Sequence, residues 1–213
     1  MVMASKLARA CEAFEQGRLE EAEALYLECL GETEQGDHDN DAALHGLGFV
    51  KAEQGAFAEA RRCYTTLLDR ARRRGDRRAE HVALHQLGMV ARLARDYKAA
   101  LRLFADEHTL LKRRLPDHRA GFSANLYERG SIRFLQGEWE GARQLLQEAL
   151  VEGIRAGDAM CQACAWRALG ELAAAQGDKA AAKSCFAESI SLFQAVGETR
   201  AALEVEALLE ALE

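Results

Sequence analysis

The chain contains one proline, Pro116, in 213 residues, and aromatic residues make up only 7% of it. One proline leaves too few rigid turn formers for many short strands joined by tight hairpins. That scarcity favours long helices. No apolar run approaches the roughly 20 residues that span a bilayer. The N-terminal "MVMASKLARACEAFEQG" also lacks the apolar centre of a secretory signal. No membrane association is expected, and the expected location is cytoplasmic. Basic residues are not in excess: 28 lysines and arginines face 34 acidic residues, a net charge of −6. Such a chain has no global attraction for polyanions, so nucleic acid is not the expected partner. The six cysteines, at 11, 29, 63, 161, 164 and 185, fall within helical patterns and read as free thiols. GxSxG, phosphate-loop and dinucleotide-binding motifs are all missing. Neither catalysis nor a cofactor is therefore expected.

What is present is a repeat. "EQGRLEEAEALY" (15–26), "EQGAFAEARRCY" (53–64), "LARDYKAALRLF" (93–104), "LQGEWEGARQLL" (135–146) and "AQGDKAAAKSCF" (175–186) align without gaps. Gly48, Gly88, Gly130 and Gly170 stand seven residues before the turn, with Ala10 in the first copy. A small residue there allows close approach of the next helix. Ala22, Ala60, Ala100, Ala142 and Ala182 recur after the turn for the same reason. Tyr26, Tyr64, Phe104, Leu146 and Phe186 follow four residues later, on the same helix face, as the large knobs. Gly17, Gly55, Gly137 and Gly177 occupy the turn, where a left-handed backbone ends a helix without steric cost. Arg95 stands there in the third copy, which predicts a turn closed in another way.

Small residue, turn, alanine and aromatic at these intervals resemble the tetratricopeptide repeat, a helix–turn–helix unit. Copies are spaced 38, 40, 42 and 40 residues apart, longer than the usual ~34. This long form is similar to the repeats of kinesin light chains, Pins-type adaptors and bacterial peptide-sensing and transcriptional regulators. The resemblance implies an all-α, right-handed superhelical solenoid of five antiparallel helix pairs plus a C-terminal capping helix. Residues 1–213 are expected to form one domain, with repeats near 3–36, 38–75, 77–115, 116–157 and 158–197 and a cap near 198–212. Acidic residues after the junction glycines, in "RRRGDRRAE", "IRAGDAMCQ", "AVGETRAAL" and "QGDHDNDAA", are expected to cap the following helices. Pro116 is expected in the first turn of the fourth repeat's first helix.

In the family the first helix of each pair lines a concave groove. A peptide or protein segment is the ligand this implies, and the expected role is non-enzymatic scaffolding. The alternative is a peptide-sensing segment of a larger bacterial transcriptional or signalling regulator. First-helix positions free of the packing signature form stripes with helical spacing. The candidate ligand contacts on them are His45, Phe49, His85, Gln86, Met89, Arg92, Tyr127, Ser131, Phe134, Arg167 and Glu171. The lysine, arginine and asparagine clamp of chaperone-binding relatives is absent. The asparagine column of long-repeat adaptors maps to Ala8, Gly46, Gln86, Glu128 and Ala168, where only Gln86 could imitate it. Self-association through the solenoid ends is also open.

Three other features admit a chemical reading. His81 and His85 stand one helical turn apart, with His45 one repeat away. Zinc needs three or four ligands, and Val82 occupies the position of the metalloprotease glutamate, so a packing role is favoured over a metal site. Cys161 and Cys164 have two-thiol spacing but no second pair, so they read as small packing residues. "RARRRGDRR" (70–78) holds six arginines at a repeat junction and reads as a solvated edge.

Overall fold

The computed structural model describes residues 2–212. Among them the chain is entirely helical, with eleven helices and no strand. In chain order these are α1 (Val2–Glu15), α2 (Leu19–Glu32), α3 (His38–Glu53), α4 (Phe57–Arg74), α5 (Arg77–Leu93), α6 (Tyr97–Arg114), α7 (Arg119–Leu135), α8 (Trp139–Ala156), α9 (Ala159–Ala175), α10 (Lys179–Ala195) and α11 (Thr199–Glu210). The chain divides within α6 into two compact units, one up to Leu110 and one from Leu111 onward.

In the first unit α1, α2, α3, α4 and α5 each pack on the next in sequence, and α1 also lies against α3. One core cluster joins Ala10, Ala13, Tyr26, Cys29 and Val50; another joins Tyr64, Leu68, Leu84, Leu87 and Val90. In the second unit α7 through α11 pack in the same sequential way, with α7 also against α9. Its clusters form around Leu146 and Leu150 and around Phe186, Phe193 and Val205.

The repeated glycine and the repeated knob meet directly. A β-carbon on Gly88 would stand 2.5 Å from Phe104 Cε1, and one on Gly48 would stand 2.6 Å from Tyr64 Cζ. The corresponding distances are 2.5 Å from Gly170 to Phe186 Cε1 and 2.9 Å from Gly130 to Leu146 Cγ. Tyr26 instead lies over Gly46 of the following helix, 2.2 Å from where a β-carbon would be. Phe104, Tyr64 and Leu146 are fully buried. Burial of each such side chain stabilises the fold by roughly 1.5–3 kcal/mol. The ring therefore fits only where the facing helix has no side chain.

The turns close on backbone alone. At Gly55 the amide bonds Ala52 O at 3.0 Å and the next amide bonds Lys51 O at 2.8 Å, with φ of 74° at the glycine. The third turn does not differ, contrary to the expectation from Arg95. Arg95 itself takes φ 60°, its amide bonds Arg92 O at 2.9 Å, and the Asp96 amide bonds Ala91 O at 2.9 Å. Packing of the pair imposes the same geometry on a residue that adopts it at a cost.

Two of the expected caps form. Asp76 accepts from the Arg78 and Ala79 amides, and Asp158 from the Cys161 amide. Asp37 and Glu198 precede their helices without a side-chain cap bond. Asp96 and Asp178, beside the turns, cap instead through the Ala99 and Ala181 amides. Pro116 lies in the 115–118 turn, and α7 begins only at Arg119, so the proline ends one helix instead of opening the next.

Gly88→Ala should lower stability by about 1–3 kcal/mol, because overpacking against Phe104 outweighs the gain in helix propensity. Gly31→Ala, with open space around its β-carbon position, should be neutral or stabilising in the same urea melts. Arg95→Gly should raise stability by about 1 kcal/mol, the cost of a left-handed non-glycine residue, as a higher thermal midpoint.

Candidate functional site

Side chains on the first helices, α1, α3 and α5 in the first unit and α7 and α9 in the second, define the candidate faces. All of the ligand contacts expected from sequence are half-buried. His45 and Phe49 sit on α3; His85, Gln86, Met89 and Arg92 on α5; Tyr127, Ser131 and Phe134 on α7; Arg167 and Glu171 on α9. The positions corresponding to the adaptors' asparagine column are different. Gly46, Glu128 and Ala168 are buried, whereas Ala8 is exposed and Gln86 half-buried, so the column is not uniformly open to a ligand.

In the first unit an aromatic cluster is built across helices. The Phe14 and Phe49 rings are 6.1 Å apart, and Phe49 meets His45 edge-on at 4.9 Å. His45 also meets Tyr64 edge-on at 5.6 Å, and the Tyr64 hydroxyl donates to the His45 carbonyl at 3.3 Å. His45 Nε2 is buried and has no hydrogen-bond partner among the described residues. Burial holds its pKa below the usual 6.5. The ring is therefore neutral near pH 7, which suits its place among aromatic neighbours. Beside it lies a cavity of about 190 Å³, walled by Leu67 of α4 and by Val82 and Ala83 of α5, with Asp41 and Arg74 at its edge. Val82, 41% exposed on a first helix, is one apolar wall left open to solvent.

The His81–His85 pair has a partner that sequence reasoning missed. Glu107 of α6 is fully buried, with Oε1 3.0 Å from His81 Nδ1 and 3.1 Å from His85 Nδ1. The His85 ring thus turns one nitrogen inward to a carboxylate, which fixes its orientation. Glu107 is legible in principle. It shares a helical stripe with Phe104 and Leu111, both fully buried, so it is a charge on an apolar face. Among the described residues no group of three or more His, Cys, Asp or Glu side chains is arranged to hold a metal ion.

In the second unit Arg167 bonds Glu171 at 2.9 Å and reaches Glu204 of α11 at 3.0 Å. These two candidates therefore engage each other and the last helix. Burial raises the Cys161 and Cys164 thiols to about 11, so both stay protonated at neutral pH. All six cysteines are free.

The arginine run is largely neutralised by its own neighbours. Asp41 accepts from Arg70 at 2.6 Å and from Arg74 at 2.7 Å. Glu80 accepts from Arg72 at 3.1 Å and from Arg77 at 2.7 Å. Burial pushes Glu80 up, but the hydrogen bonds from Arg77 and Arg72 prevail and hold it below the usual carboxylate range. The run is thus tied down by acids on α3 and α5.

Stacked helix pairs with mixed, half-buried first-helix stripes define a helical-repeat scaffold. The chain belongs to the tetratricopeptide repeat family, whose models match residues 4–40, 39–113 and 122–195. Members of this family are generally protein-interaction scaffolds rather than enzymes. Among solved structures it is similar to a thermophilic tetratricopeptide protein of Thermus thermophilus, with 19% identity, a TM-score of 0.73, and coverage of 99% of this chain and 98% of that one. It is also similar to the repeats of a kinesin light chain from Podospora anserina, at 14% identity and TM-score 0.65, covering 92% and 96%. A third is a signal-transduction ATPase of Pyrococcus horikoshii with a tetratricopeptide sensor, at 15% identity and TM-score 0.73, where 99% of this chain corresponds to 32% of that one. No curated protein matches it in sequence. Among the described residues no helix is long and apolar enough to cross a membrane.

His45 should titrate below 6.5 when followed by NMR. Because its folded pKa is depressed, the unfolded chain binds more protons, and stability falls as pH drops from about 6.5 toward the folded value. His45→Phe, which keeps a ring between Phe49 and Tyr64, should reduce that loss in melts compared across the same pH range.

Proposed function

We propose that this chain is a non-enzymatic cytoplasmic adaptor that binds a peptide or protein segment on its first-helix faces. The observation that carries the reading is the run of half-buried aromatic, soft and polar side chains on successive first helices. Phe14, Phe49 and Met89 offer apolar contact in the first unit. Tyr127, Ser131 and Phe134 combine apolar contact with hydroxyl groups in the second. An extended or helical segment needs that combination: a few buried anchors and a few polar groups that set direction. The small cavity beside His45 is sized for one aliphatic side chain of such a segment.

A second reading is favoured by the similarity to the ATPase sensor. There the part that corresponds to this chain makes up 32% of a signal-transduction ATPase with a tetratricopeptide repeat sensor. On that reading the same faces receive a signalling peptide, and the bound segment acts on an output domain.

Selection of a random phage-displayed peptide library against the purified chain tests the first-helix faces. Recovered peptides should lose binding by about tenfold or more on Phe49→Ala or Phe134→Ala, the usual cost of removing a central apolar anchor. Helicity should be retained in both variants, with a lower thermal midpoint for Phe49→Ala because its ring packs on Phe14, His45 and Tyr64, so binding is compared well below either midpoint. Binding untouched by either variant would overturn this assignment.

A further inference from the structure

The outer side of the first unit carries a second feature that the first-helix reading does not use. A cleft of about 390 Å³ lies between the second helices α4 and α6, over α5. Its floor is Leu87 and Ala91, both buried, and Leu103 of α6 forms one wall. Leu87 and Ala91 lie roughly opposite His85, Met89 and Arg92 on α5, at ~100° per residue. The cleft therefore opens on the side of α5 away from the first-helix stripe.

Two arginines from different helices, Arg61 of α4 and Arg102 of α6, stand at its rim. Both are exposed. Neither has an ion-pair partner among the described residues, unlike Arg70, Arg72 and Arg74 of the same α4. In a chain of net charge −6 this is a local excess of uncommitted positive charge beside an apolar floor. Asp106, one turn beyond Arg102, adds a single negative charge at the rim.

We infer that this cleft is a docking site for an acidic–aliphatic segment of a partner protein, with a carboxylate held by Arg61 and Arg102 and an aliphatic side chain on Leu87 and Ala91. Charge complementarity selects the carboxylate, since guanidinium groups pair bidentately with it. The cleft presents no aromatic side chain for base stacking, and Asp106 opposes a polyanion, so single-stranded RNA fits poorly. An open rim also fails to enclose a detached small molecule, which normally buries roughly 70–90% of its surface. A segment anchored by the rest of its protein needs no such enclosure. The site is independent of the first-helix faces.

The same phage library, counter-selected on the double variant Arg61→Glu/Arg102→Glu, tests the inference. Peptides that lose binding on Phe49→Ala or Phe134→Ala are set aside as first-helix ligands. The expected remainder is enriched in aspartate or glutamate next to leucine, isoleucine or valine. It should lose affinity about tenfold or more on the double variant and weaken as salt rises. Both substituted residues are exposed, and an unchanged melt verifies that the variant is folded. Polyuridylate and laurate are then added as competitors. No peptide class dependent on Arg61 and Arg102 would overturn the site. Equal binding of glutamine-substituted peptides would overturn the carboxylate contact. Displacement by polyuridylate would assign the cleft to RNA, and displacement by laurate to a small amphiphile; either would overturn the peptide.

Discussion

A ring carbon resting where a β-carbon would otherwise stand sets the distance between the two helices of a pair. Phe104 over Gly88 and Phe186 over Gly170 show it most tightly, each at 2.5 Å from the missing β-carbon. The contact is favourable up to close packing and repulsive beyond it, and so it has a sharp limit. One added methyl group on the glycine must move the ring or the helix. The alanines after the turn, Ala60, Ala100, Ala142 and Ala182, are fully buried and keep the other side of the contact equally thin. First-helix side chains outside the packing positions, such as Phe49, Met89, Tyr127 and Phe134, are left half-covered. They supply the surface on which ligand recognition is proposed.

Polar groups are arranged around this frame instead of inside it, with a few exceptions. Ser123 donates to Ala149 O at 2.7 Å and Ser189 to Ala163 O at 2.9 Å, both buried bonds from one helix to its partner. Asn40 donates to Thr33 Oγ1 at 3.0 Å and accepts from Arg70 at 2.8 Å, which ties the α2–α3 junction to α4. Glu107 is the most demanding exception. A fully buried carboxylate needs close donors, and the two imidazoles of α5 stand within reach of it. The histidines that suggest half of a metal site are thus placed by a carboxylate one helix away.

The architecture is legible in the sequence because each of its devices repeats. A glycine, an alanine and an aromatic at fixed offsets can be aligned by eye, and they carry the helix pairs with them. The turn at Arg95 is not, because residue type suggests one backbone and the packed pair sets another. Pro116 is displaced by three residues from the helix it is expected to open, because proline fits both a helix start and the turn before one. The meeting of Glu107 with His81 and His85, and the Arg61–Arg102 cleft, escape a reading of the sequence, since each depends on side chains brought together from different helices. Capping shows the same limit: "GD" announces an acidic residue near a helix start, but Asp37 and Asp76 both follow a glycine and only Asp76 caps.

The left-handed arginine has a consequence for how the array comes apart. In a stacked repeat, each pair is held by its own closure and by its neighbours. Seven of the other helix ends close on glycines that adopt φ of 64–81° without steric cost. The α5–α6 pair instead combines a strained turn with a carboxylate withdrawn from water. Its integrity therefore rests on contacts outside the turn. Opening that begins at this pair starts in the interior of the chain, instead of fraying it from an end.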